Sequence, residues 1–216
     1  MKKGAIFDMD GLLFDTERLY QESWLVIARE WGIIPDPAFP TAVCGTSGAH
    51  MRDVVREHYP EVDAEAYIQA CLSRVAHILE TDVPEKPGIH ELLTYLHAQG
   101  VKIAVASSSL AHVVENNLRN AGVWEYFDAV VTGEQVKRGK PEPDIFLEAA
   151  KRLGLHPEEC YVFEDGINGT RAGLAAGGAT VMIPDLTAPT EDLINSCAGV
   201  YPSLLTALEA IQNGML

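Results

Sequence analysis

A chain of 216 residues is long for one compact domain and short for two, so a core domain with a modest insertion is expected. Its composition, 47% hydrophobic and 22% charged, is that of a globular protein able to bury a sizeable core. The net charge of −15 and the lack of any Lys/Arg cluster argue against a nucleic acid or an anionic membrane surface as partner, because both are held by basic stripes.

The first element is a short apolar run over residues 4–8 that leads into Asp8-Met9-Asp10-Gly11. Similar runs cover residues 101–107, 128–132, 160–164 and 180–184, with a weaker one at 199–201. Near-continuous apolar runs bounded by polar residues or Gly suit strands buried on both faces. Helical stripes lie between them: Ile89, Leu92, Leu93 and Leu96 before Gly100; Ile145, Phe146, Ala149, Ala150 and Leu153 before Gly154; and Leu204, Leu208 and Ile211 near the end. Strand–helix alternation of this kind predicts an α/β fold built on a doubly wound parallel sheet.

Residues 15–86 break the alternation, for they hold no good strand. Tyr20, Trp24, Ile27 and Trp31 share one helical face, and Ile68, Leu72, Val75 and Leu79 share another. An all-helical insert is therefore expected over 15–86, with residues 1–14 and 87–216 forming the α/β core. Pro84 and Pro87 mark the return to the core.

Four strand-end segments carry chemistry. Asp8 and Asp10 stand at the carboxyl end of the first strand, where doubly wound folds bind ligands. Two such carboxylates are costly to bring together unless a cation or a proton shares them. The second strand ends in Ser107-Ser108-Ser109, whose hydroxyls and N–H groups at a helix start suit a phosphate. Lys140, between Gly139 and Pro141, sits on a stiff loop after the third strand and could balance a phosphate and a carboxylate together. The fourth strand ends in Glu164-Asp165-Gly166, a second acidic pair.

The order Asp-x-Asp, Ser, Lys, Glu-Asp resembles the four-motif signature of the haloacid dehalogenase superfamily over nearly the whole chain. Asp8-Met9-Asp10-Gly11, the string from Gly139 to Phe146 and the pair Glu164-Asp165 carry the resemblance. It implies a Rossmann-like core with an inserted four-helix cap over residues 15–86, like that of sugar-phosphate phosphatases, phosphoglycolate phosphatases and β-phosphoglucomutases. It also implies that Asp8 is the nucleophile and forms an aspartyl-phosphate, and that Asp10 is the general acid and base. Ser107 and Lys140 would hold the transferring phosphoryl group, helped by the backbone N–H groups of Met9, Asp10 and Ser108. The implied cofactor is Mg²⁺, held by the Asp8 carboxylate, the Asp10 carbonyl and the Asp165 carboxylate, with Glu164 acting on it through a water.

The same resemblance points to Asp15, Thr16, Glu17 and Tyr20, and to residues 45–52 with His50 and Arg52, as the cap groups that choose the substrate. Asp10 favours an alcohol leaving group, which needs a proton, over a halide, which does not. Tyr20 stands where mutases of this type carry a histidine, and the cap loop lacks their close Arg spacing. Gly166 replaces a frequent serine after the Glu-Asp pair. The expected activity is hydrolysis of a small phosphate monoester such as a sugar phosphate, with a β-phosphoglucomutase-type mutase as the alternative and a phospho-accepting signalling module as a third reading.

Cys44, Cys71, Cys160 and Cys197 are scattered, with no zinc-type spacing, which suits a reducing compartment. Asp8, Asp10 and Asp15 interrupt the apolar run behind Met1-Lys2-Lys3, so no secretory leader is expected. A cytoplasmic monomer that acts on a small phosphorylated metabolite, with no nucleic acid and no membrane partner, is the resulting expectation.

Overall fold

A computed structural model of the chain describes residues 1–44, 46 and 48–216. The chain forms two compact units, Thr16–Val83 and the combination of Met1–Asp15 with Pro84–Leu216.

The smaller unit is helical: α1 (Thr16–Glu30), α2 (Phe39–Val43), α3 (Gly48–His58) and α4 (Ala64–Leu79). Helix α1 buries Trp24, Ile27 and Ala28, and α4 buries Tyr67, Ile68, Cys71, Val75 and Leu79, the helical spacing expected of two facing stripes. Asp63 caps α4 by accepting from the N–H groups of Glu65 and Ala66 at 3.0 and 3.2 Å. Pro40 lies in the first turn of α2, where its missing N–H is tolerated. Tyr67 is the centre of this core. Its ring stacks on Trp24 at 5.7 Å and meets Tyr59 at 5.5 Å and Phe39 at 6.0 Å, and its hydroxyl donates to the Trp24 carbonyl at 2.7 Å. Trp31 continues the expected face past the end of the helix, its N–H donating to the Ile27 carbonyl at 3.0 Å. The chain turns at Gly32, whose φ is 71°, so Trp31 lies just past α1, 44% exposed, with its ring set edge-on to Tyr67.

The larger unit is a six-stranded, wholly parallel sheet: β1 (Gly4–Phe7), β2 (Lys102–Ser107), β3 (Ala129–Thr132), β4 (Cys160–Glu164), β5 (Ala179–Met182) and β6 (Gly199–Val200). Their order is β3-β2-β1-β4-β5-β6, so the winding reverses between β1 and β4. Six helices accompany the sheet: α5 (Ile89–Ala98), α6 (Ala111–Asn120), α7 (Asp144–Leu153), α8 (Ile167–Ala176), α9 (Glu191–Ser196) and α10 (Leu204–Gln212). Ile6, Ala104, Ala106, Val131 and Val162 join Ile145, Phe146, Ala149 and Ala150 of α7 and Ala172 and Ala176 of α8 in one buried cluster. Alternation sends Phe7, Val105 and Phe163 to the other face. Burying both faces explains why the strand interiors are largely apolar, as their sequences predict, with Lys102 exposed at the start of β2 and polar residues at the carboxyl ends of β2, β3 and β4.

Where the chain leaves and re-enters this unit, its two passes are tied together. Phe14 bridges Glu85 antiparallel, Asp15 N–H donates to the Pro84 carbonyl at 2.7 Å, and Lys86 N–H donates to the Leu13 carbonyl at 2.8 Å. The Lys86 ammonium reaches Asp15 at 3.0 Å and Asp185 at 2.6 Å. Among the described residues no helix is long and apolar enough to cross a membrane.

Candidate active site

The central strands set the site by register. Phe7 of β1 pairs with Phe163 of β4, and their rings stack 4.6 Å apart, 9° from parallel. One residue further, Asp8 and Glu164 emerge beside each other at the carboxyl ends, on either side of the point where the winding reverses. In open α/β sheets that crevice is where ligands bind. Asp8 is 6% exposed and Glu164 is 2% exposed.

Lys140 sits between these two carboxylates. Its ammonium donates to Asp8 Oδ1, to Glu164 Oε1 at 2.6 Å and to the Ala106 carbonyl at 3.2 Å, so its three N–H bonds match three acceptors. It also lies 5.0 Å from the centre of the Phe146 ring. The loop that carries it is clamped by Arg138, which holds Asp144 at the start of α7 at 2.6 Å and Glu142 at 3.0 Å. Burial alone would lower the Lys140 ammonium, but Asp8 and Glu164 hold it well above its ordinary value.

Asp10, two residues beyond Asp8, is met by the end of β2. Ser107 Oγ, fully buried, donates to Asp10 Oδ2 at 3.3 Å and accepts from the Ser109 N–H at 3.0 Å. Ser109 Oγ donates to the same Asp10 oxygen at 2.7 Å. The sequence marked a serine cluster here but gave Ser109 no separate role. The start of α6 is served by neither hydroxyl, since its first N–H, on Ala111, donates to Glu134 at 3.1 Å. The Met9 side chain is wholly buried, so only its backbone could face a ligand. Ser108 is exposed at the same strand end.

Asp165 completes the group. One oxygen from each of Asp8, Glu164 and Asp165 lies within 4.8 Å of the others. Two glycines make room for this. A Cβ on Gly11, whose φ is 84°, would stand 2.3 Å from Asp165 Oδ2, and a Cβ on Gly169 would stand 1.8 Å from Glu164 Oε1. Glu164 Oε2 accepts from the N–H groups of Asp165 and Gly166 at 3.1 and 3.4 Å. Burial, with the charges of Glu164 and Asp10 and against that of Lys140, pushes the Asp8 carboxyl up to about 8. Burial, with Asp8 and Glu164, pushes Asp165 up to about 9. When all three are ionised, the carboxylates exceed the Lys140 ammonium by two negative charges, which one divalent cation would balance. An all-oxygen set of this kind suits a hard metal ion.

The remaining sequence-predicted residues belong to the helical unit. Thr16 is buried at the start of α1, and Glu17 and Tyr20 are half-buried. Glu17 and Tyr20 line a cavity of about 250 Å³ within this unit, together with Gln21, Trp24, Thr46 and Met51. The Cys44 thiol donates to Glu17 at 3.4 Å. Among the described residues no Lys, Arg or His lines the cavity. Arg52, on α3, reaches Glu65 on α4 at 3.5 Å and is not among the lining residues. His50 is exposed on α3, and Gly45 and Ser47, within the same expected segment, lie outside the described residues.

Fold and site together define a doubly wound α/β protein with a buried, cation-seeking acidic centre at the switch point of its sheet. The model of the haloacid dehalogenase-like hydrolase family matches residues 5–183, and the chain belongs to that family. Phosphorylated carbohydrates phosphatase of Thermotoga maritima is 32% identical over 176 residues, covering 81% of this chain and 82% of its own. Hexitol phosphatase A of Escherichia coli is 35% identical over 180 residues, covering 81% of this chain and 80% of its own. A solved structure described as a putative β-phosphoglucomutase from Thermotoga maritima superposes with a TM-score of 0.85 at 27% identity, covering 98% of this chain and 99% of that one.

Proposed function

We propose that the protein hydrolyses the phosphate monoester of a small sugar or sugar alcohol through an aspartyl-phosphate on Asp8. The observation that carries this reading is the Asp8 carboxylate itself: buried, aimed by Lys140, and set at the switch point beside a second carboxylate, Asp10, held by serines. An Asp8 oxygen bonds to phosphorus as the ester P–O bond breaks, and Asp10 gives its proton to the departing oxygen. Water then attacks phosphorus, its proton passes to Asp10, and phosphate leaves with Asp8 restored. Lys140 orients Asp8 and offsets charge at the centre; Ser107 offers its hydroxyl to a phosphoryl oxygen, with the backbone N–H groups of Met9 and Ser108 beside it.

Mg²⁺ fits the donor set. Asp8 and Asp165 would hold it, with the Asp10 carbonyl as a further ligand, and it would neutralise the negative charge that gathers when a phosphate dianion meets Asp8. Glu164, both of whose oxygens already serve Lys140 and backbone N–H groups, suits a supporting position behind those ligands.

We read the helical unit, from about residue 15 to 86, as the element that chooses the leaving group, through Thr16, Glu17 and Tyr20. An aromatic and carboxylate-lined cavity with no cation among its described lining residues suits an uncharged polyol, and it disfavours a second phosphate. Arg52, which reaches Glu65 at 3.5 Å, is a further candidate for pairing with a distal phosphate or carboxylate. The mutase alternative needs a bisphosphate intermediate and is the weaker reading on that ground. The fold of the putative β-phosphoglucomutase keeps it testable.

Phosphate release from a panel of hexose, hexitol and pentose monophosphates with Mg²⁺ tests the reading, with β-glucose 1-phosphate run with and without glucose 1,6-bisphosphate. Rapid release from one polyol class is expected. Conversion of the 1-phosphate to the 6-phosphate only when bisphosphate is added, with little free phosphate, would make it a mutase.

A further inference from the structure

We infer that Ser109 is a positioning residue for Asp10, the group that keeps this carboxylate in place while Ser107 is occupied by the phosphoryl group; the inference rests on the acid–base role proposed for Asp10. The Ser107 hydroxyl has one proton. Its oxygen is fixed by accepting the Ser109 N–H at 3.0 Å, and its proton points to Asp10 Oδ2 across 3.3 Å. A phosphoryl oxygen placed against Ser107 accepts that hydrogen bond in place of Asp10, so the longer of the two serine bonds to Asp10 is given up when substrate binds. The shorter one, from Ser109 Oγ at 2.7 Å, is independent of that exchange.

The backbone fixes Ser109 for the purpose. It follows β2 by two residues, its N–H is tied back to Ser107, and its hydroxyl is not spent on α6, whose first N–H is served by Glu134. The Ser108 backbone between the two serines is packed against Gly133, where a Cβ would stand 3.0 Å from the Ser108 carbonyl oxygen. The loop therefore presents two hydroxyls to one carboxylate oxygen from a rigid base, one released on binding and one retained.

The test uses the full chain with Mg²⁺ and a series of monoesters whose leaving alcohols range from p-nitrophenol to a simple alkanol. In Ser109→Ala, kcat/KM for the alkyl ester is expected to fall by about 10-fold or more, a part of what a general acid contributes, while p-nitrophenyl phosphate, which needs little protonation, changes by about 2-fold or less. Ser109→Thr, which keeps the hydroxyl, restores the alkyl ester. Ser107→Ala is expected to weaken all esters alike, through loss of a phosphoryl contact. A loss in Ser109→Ala that is equal across leaving groups, or no rescue by threonine, overturns the inference. Asp10→Asn in the same series separates the two readings. If it steepens the leaving-group dependence and Ser109→Ala does not, only the role of Ser109 fails. If Asp10→Asn is uniform across leaving groups, the acid role of Asp10 fails and takes Ser109 with it.

Discussion

Gly169 and Glu164 occupy one space: a Cβ on Gly169, in the first turn of α8, would lie 1.8 Å from Glu164 Oε1 at the end of β4. The missing side chain is what lets a carboxylate lie buried against a helix and still reach Lys140 at 2.6 Å. Gly169→Ala is therefore expected to push Glu164 out of place, release Lys140 from one partner and destabilise the fold by about 1–3 kcal/mol, the usual range for overpacking. Thermal unfolding and turnover measured on the same sample check this. A variant with unchanged melting temperature and activity would show that the carboxylate is not confined as described.

The acidic centre gives the metal-free protein a definite pH response. Asp8 and Asp165 are pushed up to about 8 and about 9, so between the ordinary carboxyl range and those values the folded chain keeps protons that the unfolded chain has lost. Stability must then fall as pH rises through that window. The exposed carboxyls that their partners hold low, among them Glu148 beside Lys151 and Arg152, act in the acid range below it. In the presence of a chelator the melting temperature should be higher near about pH 6 than near about pH 9, and added Mg²⁺ should raise it most at the alkaline end. A melting temperature that rises with pH in the absence of metal would contradict the assignment of these carboxyls.

Lys140 is the only ammonium that the described contacts bring to Asp8 and Glu164. Replacing it by methionine leaves those carboxylates buried without it, a change worth about 3–5 kcal/mol when one partner of a buried pair is removed. Turnover is expected to fall by about two to three orders of magnitude, as for other preorganised donors. The loss of stability should shrink in acid, where the carboxylates left behind take up protons. Chemical denaturation at two pH values, alongside kcat, reads both effects, and a Lys140→Met protein of normal activity would exclude Lys140 from the site.

The helical unit has its own test. Tyr67→Phe removes the hydroxyl that serves the Trp24 carbonyl at 2.7 Å in the centre of the aromatic core. A cost of about 1 kcal/mol is expected from the loss of this buried hydrogen bond, which the Trp24 carbonyl accepts beside its own helix N–H. Urea unfolding measures it, and an unchanged midpoint would mean that water replaces the hydroxyl without penalty.

The strands were legible because burial on both faces leaves few polar positions inside them, and each begins and ends within two residues of its apolar run. The end of α1 was less so. Trp31 continues the spacing of Tyr20, Trp24 and Ile27, but Gly32 adopts a positive φ that a periodicity argument does not register. The acidic pairs and Lys140 could be read as a set because the chemistry needs those residue types at those strand ends. Ser109 could not, since its bond to Asp10 joins residues 99 apart and depends on how the turn after β2 is packed. Gly11 and Gly169 are legible only in three dimensions, where what each would strike is a carboxylate oxygen. The ties of Lys86 to Asp15 and Asp185 likewise join three stretches of chain that carry no shared pattern.

Covalent capture tests the central claim most directly. The enzyme, mixed with Mg²⁺ and excess hexitol phosphate, is quenched in acid within a single turnover, and the acyl phosphate is reduced with borohydride before peptide mass spectrometry. Nucleophilic attack by Asp8 predicts conversion of that residue, and of no other aspartate, to homoserine, with none in enzyme quenched without substrate. Phosphate released in the first turnover while Asp8 remains unmodified, or homoserine found at Asp10 or Asp165 in its place, would contradict the account.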